Sequence, residues 1–464
     1  MSRDRKAPEL GENKMRTMPV GKLLLNMTLP LAVSMLVQAL YNVVDSIYVS
    51  RISESAVTAL SLAFPIQNLQ IGFATGAAVG VNSLLSKSLG EGNRERANQA
   101  AGNGIFLTAI MVVLFMLFGF FGAKPYYAMQ SDVAETAQGG AAYTAICCIF
   151  TLGIFVEILG ERLLQASGRT VYTLFTQGTG AVINIVLDPL FIFGGFGIPA
   201  MGIAGAAVAT VIGQWVAAIM AVIFNIKCNP DVSFALRYIR PRLKIMKKIL
   251  TVGIPSILMM AIGSVMNFSM NQIFLGFKNY GETAAGVFGI YFKLQSFFLM
   301  PVFGMNNASV SIIAYNYGAR QPERITKTLK YAVLAAFLFL MLGFAVFQAV
   351  PELLLSIFEP SENFLKIGIS ALRIVSIHFP LASVCIALGA SFQALGNGSY
   401  SSITSLCRQL IVLVPAAYLL SLTGDVNAVW WSFPIAEIVS LTLTLLLFTR
   451  IYRQKVKPLK TESR

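Results

Sequence analysis

Residues 89–97 read LGEGNRERA, and residues 317–325, 228 positions further on, read YGARQPERI. Gly90 falls on Gly318, Glu95 on Glu323 and Arg96 on Arg324. The same offset carries outward in both directions. Phe64 meets Phe292, Gln67 meets Gln295 and Gly76 meets Gly304; downstream, LQASGRTVY (164–172) lies over FQALGNGSY (392–400). The first apolar runs of the two halves match at a slightly different offset, LNMTLP over LTVGIP, with Asn42 over Asn267. One such match could arise by chance in apolar sequence, whereas a series at constant offset marks an internal repeat.

The repeated unit is built from membrane-length apolar runs. Of 464 residues, 56% are hydrophobic and only 12% charged, about half the charged fraction of a soluble domain. Twelve spans are expected, near 23–49, 56–85, 102–123, 139–160, 171–194, 203–224, 250–277, 284–313, 328–350, 365–390, 403–422 and 427–449. The fold class is therefore an all-α polytopic membrane protein: two six-helix bundles, 23–224 and 249–450, related by a pseudo-twofold along the membrane normal. Six spans per repeat is an even number, so both halves insert the same way up, an architecture that places a substrate path between halves. The first run begins only after about twenty polar residues and is too long for a signal-peptide core. With the N-terminus inside, 29 of the 35 Lys and Arg fall on the inner side, which orients the chain with both termini cytoplasmic. The net charge of +14 reports these loops and not a nucleic-acid partner. The tails (1–22 and 451–464) read as flexible, basic segments that touch anionic lipid, and 225–248 as a cytoplasmic linker. Five cysteines, an odd number lying mostly in apolar runs, read as buried thiols.

Against that background, a carboxylate inside INIVLDPLFIFG (183–194) stands out. A charge at the bilayer centre costs roughly 2.5–3.5 kcal/mol on insertion scales, so it is expected to face an interior or a cavity. Gln177, Ala181, Asn184 and Asp188 recur at helical spacing on one face of span 5; Gln38, Asn42 and Asp45 do so on span 1. Pro189 cannot donate an amide proton, which frees the carbonyl of Ile185. Counted inward from the outer ends of their spans, Asp45, Asp188 and Thr210 on span 6 fall within about 5 Å of one depth. Aspartate has too short a stem to reach water easily from there, so a shared polar site is expected. Two carboxylates in such a pocket cannot both stay charged cheaply, so one takes up H⁺ or a metal cation. Pro30, in the middle of span 1, offers a flexure point for a coupled change of packing.

The second half lacks this pair. Its intramembrane charges, Lys293, Arg373 and Glu437, lie at similar depth and are expected to form a structural ion cluster. Gln38, Asn42, Gln177 and the repeat-matched Asn267 and Gln295 are candidates to line a cavity. Glu161 and Arg162, with Glu157 nearby, suggest a local salt link. His378, the only histidine, reads as a packing residue, and the small residues of GIAGAAVATVIG (202–213) as a close-packing face.

Together, TLPLAVSMLVQALYNVVDSIYVS in span 1, SLGEGNRERA after span 2, LLQASGRTVY after span 4, and INIVLDPLFIFG followed by GIAGAAVATVIGQ resemble the multidrug and toxic compound extrusion (MATE) family of cation-coupled antiporters. The resemblance implies two bundles around a V-shaped cavity and export by alternating access. It also implies a coupling site for H⁺ or Na⁺ at Asp45, Asn184, Asp188 and Thr210, and a helix bend at Pro30. Another branch of the family uses acids on spans 7 and 10, where this chain has none. A monomer in the bacterial cytoplasmic membrane is implied, with no cofactor beyond the coupling ion and with an amphipathic, cationic substrate.

Three other readings compete. A lipid-linked saccharide flippase would need several intramembrane basic groups for pyrophosphate, and only two are present, both in the second half. An intramembrane enzyme would need a nucleophile–base pair or clustered metal ligands, which one histidine and scattered cysteines do not supply. A facilitator of the major superfamily also has six-plus-six spans, but residues 88–98 do not carry its signature between spans 2 and 3.

Overall fold

The computed structural model describes residues 13–130, 133–278, 280–358 and 361–462. Among them the chain is helical, with ten helices long and apolar enough to cross a membrane and two bent pairs that bring the spans to as many as twelve. Spans 1 and 2 are Val20–Ser50 and Glu54–Gly90. Span 3 runs from Arg94 through a π-helical turn at Phe118–Gly122 to Ala128. Spans 5 and 6 are Val171–Phe193 and Ile203–Cys228. Spans 7, 8 and 9 are Leu243–Leu275, Gly281–Gly318 and Pro322–Ala349. Span 11 runs from Gly398 to Ser421 through a π segment at Cys407–Leu413. Span 12 starts at Ser432 and stays helical, through another π turn, to Glu462. The C-terminal segment is thus not a loose tail. Lys455 donates to Leu395 O at 2.5 Å and Asn397 Oδ1 at 2.6 Å, which fastens this extension to the turn before span 11.

The sharp bends fall in spans 4 and 10, not at the expected proline of span 1. Pro30 and Pro189 both lie inside unbroken helices. Span 4 bends by 46° between Ala134–Ile149 and Leu152–Ala166, and span 10 by 47° between Glu362–Ser376 and Phe379–Ala394. The two breaks occupy matching positions of the repeat, since Phe150 corresponds to His378. Backbone carbonyls freed in a membrane interior need substitute donors. In span 4, Gln70 of span 2 donates to Cys147 O at 3.2 Å and to the Thr151 hydroxyl, and Trp215 donates to Phe150 O at 3.2 Å. In span 10, Gln348 of span 9 donates to Arg373 O at 2.8 Å and Ser376 Oγ at 3.0 Å, and Pro380 contributes no N–H of its own.

The halves meet where repeat-related glycines allow backbones to touch. A Cβ on Gly90 would lie 1.9 Å from Tyr315 O, and one on Gly318 would lie 2.1 Å from Lys87 O, so spans 2 and 8 cross symmetrically at the end that carries the termini. Nearby, Ser311 donates to Asn82 Oδ1 at 3.0 Å and Ser83 to Gln393 O at 2.8 Å, each bond joining one half to the other. Arg324 clamps the N-terminal segment through Met15 O at 2.9 Å and Met18 O at 2.7 Å. All five cysteines are free thiols.

Candidate functional site

Spans 5 and 6 pack closely because glycine faces glycine. A Cβ on Gly213 would stand 2.7 Å from Gly180 O, and one on Gly205 would stand 2.3 Å from Phe191 O. The small-residue face read from the sequence does serve this approach. It brings Asn184 and Thr210 together. With its amide nitrogen toward the acid, Asn184 donates to Asp188 Oδ2 at 2.8 Å. Its oxygen then accepts from the Thr210 backbone N–H at 3.0 Å and from the Thr210 hydroxyl at 3.2 Å. Asp188 is fully buried.

Asp45 joins this group from span 1. With Asn184 and Thr210 it lines a cavity of about 690 Å³, walled also by Gln38, Gln67, Tyr143, Gln177 and Gln214. Asp188 sits behind Asn184 and is not part of the wall. Among the described residues, Asp45 Oδ1 is buried with no hydrogen-bond partner. A wholly buried carboxylate held by one amide donor is costly to keep charged, so the arrangement can take up a proton. The wall comes almost entirely from the first half, with Met300 as the contribution of the second.

Of the candidate lining residues, Gln38 and Gln177 take part, while Asn267 and Gln295 do not. Asn267 donates to Gly263 O along its own helix at 3.1 Å, and Gln295 is buried in the second half. The Asn42 side chain lies outside the described residues. The expected ion cluster of Lys293, Arg373 and Glu437 does not form. Glu437 pairs with Arg408 at 3.4 Å, and among the described residues neither Lys293 nor Arg373 has an acidic partner. Arg408, counted with an inner loop in the sequence, belongs to the π segment of span 11 and so reaches the interior.

The salt link expected at Glu161 and Arg162 is also absent. Adjacent residues on a helix do not face each other, and Arg162 donates to Gln165 Oε1 at 3.0 Å. Glu161 instead accepts from Thr176 Oγ1 at 2.6 Å and Gln177 Nε2 at 2.8 Å, both on span 5. Glu157, one turn earlier, opens into the cavity. The sequence alone suggests only a local link here. The clue was available in the 157/161 spacing, which puts both carboxylates on one face toward the Gln177 end of the span 5 stripe. That end lies about 10 Å along the helix from Asn184.

A scan against family models matches MatE over residues 30–190 and again over 255–419. The chain belongs to the MatE family. Two matched stretches in one MatE chain agree with the repeat, and MATE proteins are membrane transporters, not enzymes. Among curated relatives, the multidrug export protein MepA of Staphylococcus haemolyticus is 22% identical over 92% of this chain and 93% of its own length. An FAD transporter of Shewanella oneidensis is 24% identical over 91% and 92%. A solved structure described as the outward-facing conformation of a multidrug resistance MATE family transporter of the MOP superfamily superposes with a TM-score of 0.89. It is 26% identical and covers 97% of this chain and 98% of that one. The MATE assignment and the helical architecture together make this a multi-pass membrane transporter of small substrates, and the family's relatives support drug efflux.

Proposed function

We propose that this transporter exports amphipathic cations in exchange for protons by alternating access. It works as a monomer in a bacterial cytoplasmic membrane, with the basic, terminus-bearing face in the cytoplasm. One observation carries the choice of substrate: the 690 Å³ cavity presents the carboxylates of Asp45 and Glu157, and no Lys or Arg is among its lining residues. A phosphate-rich substrate such as FAD would meet like charge there, whereas a cation meets complementary charge with aromatic and aliphatic walls from Tyr41, Phe64 and Ile158. The same charge pattern disfavours a pyrophosphate-lipid flippase.

The donor set also bears on the coupling ion. Asp45, Asp188 and the Thr210 hydroxyl are hard oxygen ligands suited to H⁺ or Na⁺. In its hydrogen-bonded orientation Asn184 bridges Asp188 and Thr210 with no ion between them, and a proton on Asp188 leaves that bridge as it stands. This favours H⁺. Mutually exclusive binding of a proton at the carboxylates in and beside the cavity and of drug within it then gives antiport, because neutralising the carboxylates removes the charge that holds the cation.

The test uses proteoliposomes with ethidium, FAD, and separate pH and sodium gradients. Ethidium movement driven by the pH gradient, with FAD unmoved, is the expected result. Movement driven by sodium alone would overturn the ion assignment, and transport of FAD but not ethidium would overturn the substrate class.

A further inference from the structure

The loop repeated at 89–97 and 317–325 makes different bonds in its two copies. In the first, Arg96 pairs with Glu91 at 2.9 Å, and the bond stays within the loop. In the second, Ala319 stands where the repeat has Glu91, and Asn316 where it has Ser88. Arg324, the counterpart of Arg96, reaches other oxygens. Its Nε donates to Asn316 Oδ1 at 3.0 Å, and its Nη2 to Met15 O at 2.9 Å and Met18 O at 2.7 Å. Asn316 Nδ2 also donates to Met15 O, at 3.5 Å. The rigid, multi-donor guanidinium suits this kind of grip on several acceptors at once.

The gripped segment is tied by other contacts to the first half. Lys14–Thr17 form one helical turn, begun by Asn13, whose side chain accepts from Met15 N at 3.0 Å. Lys14 donates to Asn26 Oδ1 of span 1 at 2.6 Å. The Met15 side chain is fully buried, with its Cγ 3.3 Å from where a Cβ on Gly168, in the turn before span 5, would stand. The segment thus bonds through its main chain to the second half and packs through its side chains on the first. It does so at the end of the molecule where Gly90 and Gly318 let spans 2 and 8 cross. Separating the halves at that end cannot leave both sets of contacts in place. Hydrogen bonds from a charged donor are about twice as strong as neutral ones, so their loss resists that separation.

We infer that Arg324 and the segment Asn13–Met18 form a latch that holds the terminus-bearing ends of the two halves together, and that its release sets how readily the cavity opens on that side. The latch rests on the alternating-access reading, but not on the substrate or the coupling ion.

The test is hydrogen–deuterium exchange of the full chain in neutral detergent without substrate, compared at the two ends of spans 2 and 8. Arg324→Gln should lower protection about tenfold around Gly90 and Gly318, as loss of one charge-assisted bond implies. The opposite ends, where the two spans begin at Glu54 and Gly281, should keep or gain protection. Gly90 belongs to the half that does not carry Arg324, so faster exchange there reports separation of the halves and not local fraying. Met15→Ser acts on the other side of the latch and should give the same pattern. Arg96→Gln breaks the local pair of the first copy and should leave both ends as in wild type. The inference is overturned if either latch variant exchanges like wild type, or if the Gly90 region does not respond. It is also overturned if the opposite ends lose protection as well, or if Arg96→Gln reproduces the shift. Failure of the export reading shows separately, as absence of pH-driven ethidium movement by the wild-type protein.

Discussion

The two halves follow one path but fill their interiors with different chemistry. In the first half, spans 1, 5 and 6 enclose water-accessible space edged by Asp45, Asn184 and Thr210, with Asp188 behind them. In the second, repeat alignment places Met270 opposite Asp45, and alignment on Pro189 and Pro415 places Val414 opposite Asp188. Aromatic rings cluster in the second half. Trp430 lies 4.4 Å from Phe274, Phe433 lies 5.7 Å from Tyr291, and Phe347 lies 5.3 Å from Phe379, between ring centroids. Pairs of this kind contribute about 0.5–1.5 kcal/mol each beyond area burial. His378, as expected from the sequence, packs in this shell, 3.3 Å from the Tyr291 hydroxyl. Features that shape the backbone are kept in both halves, namely the glycine crossings and the bent fourth span. The ionisable centre is kept in one. One half thus holds the polar cavity and the other an aromatic cluster.

The largest expected effect follows from that asymmetry. Asp188→Asn keeps the shape of the site but removes its proton-accepting group, so pH-driven ethidium transport in proteoliposomes should fall about a hundredfold, comparable to the free energy of one intramembrane charge. Asp45→Asn should act in the same direction. If neither slows transport, the contrast between the halves carries no functional meaning.

The glycine crossing offers a symmetric test. Gly90→Ala and Gly318→Ala each force backbones apart at the same junction, and overpacking of this kind costs about 1–3 kcal/mol. Thermal unfolding should show two similar losses of stability. Unequal losses would show that the halves are less alike in their framework than the repeat implies.

A smaller effect is expected in the second half. Glu437→Gln removes the partner of Arg408, whose side chain is 32% exposed while that of Glu437 is 4% exposed. Because water screens one member, the loss should be about 1–2 kcal/mol, seen in unfolding while the pH dependence of transport stays unchanged. The smallest is His378→Phe, which leaves the Tyr291 hydroxyl without this neighbour and should cost less than about 1 kcal/mol in the same assay.

Much of this was readable from residue order, because the relevant signals are local or periodic. The twelve apolar runs, the 228-residue repeat and the Asn184/Asp188 spacing each lie within a helix or recur at fixed offset. Counting depth groups Asp45, Asp188 and Thr210, and helical spacing adds Asn184. What escaped was set by side chains arriving from other spans. Gln70 and Gln348 supply the donors at the bends in spans 4 and 10, and nothing near Phe150 announces a break. Arg408 looked like loop sequence because it stands at the start of a π turn near a span end, and its pairing with Glu437 depends on how spans 11 and 12 pack. Chain proximity suggests Arg162 as the partner of Glu161, whereas Thr176 and Gln177 reach it from span 5.

The most direct test of a first-half coupling site is proton release on drug binding. Purified protein in weakly buffered detergent, titrated with ethidium and followed with a pH-sensitive dye, should release about one proton per drug bound. Asp188→Asn should release none, and Glu437→Gln should match wild type. Undiminished release from Asp188→Asn, or its loss in Glu437→Gln, would contradict the account.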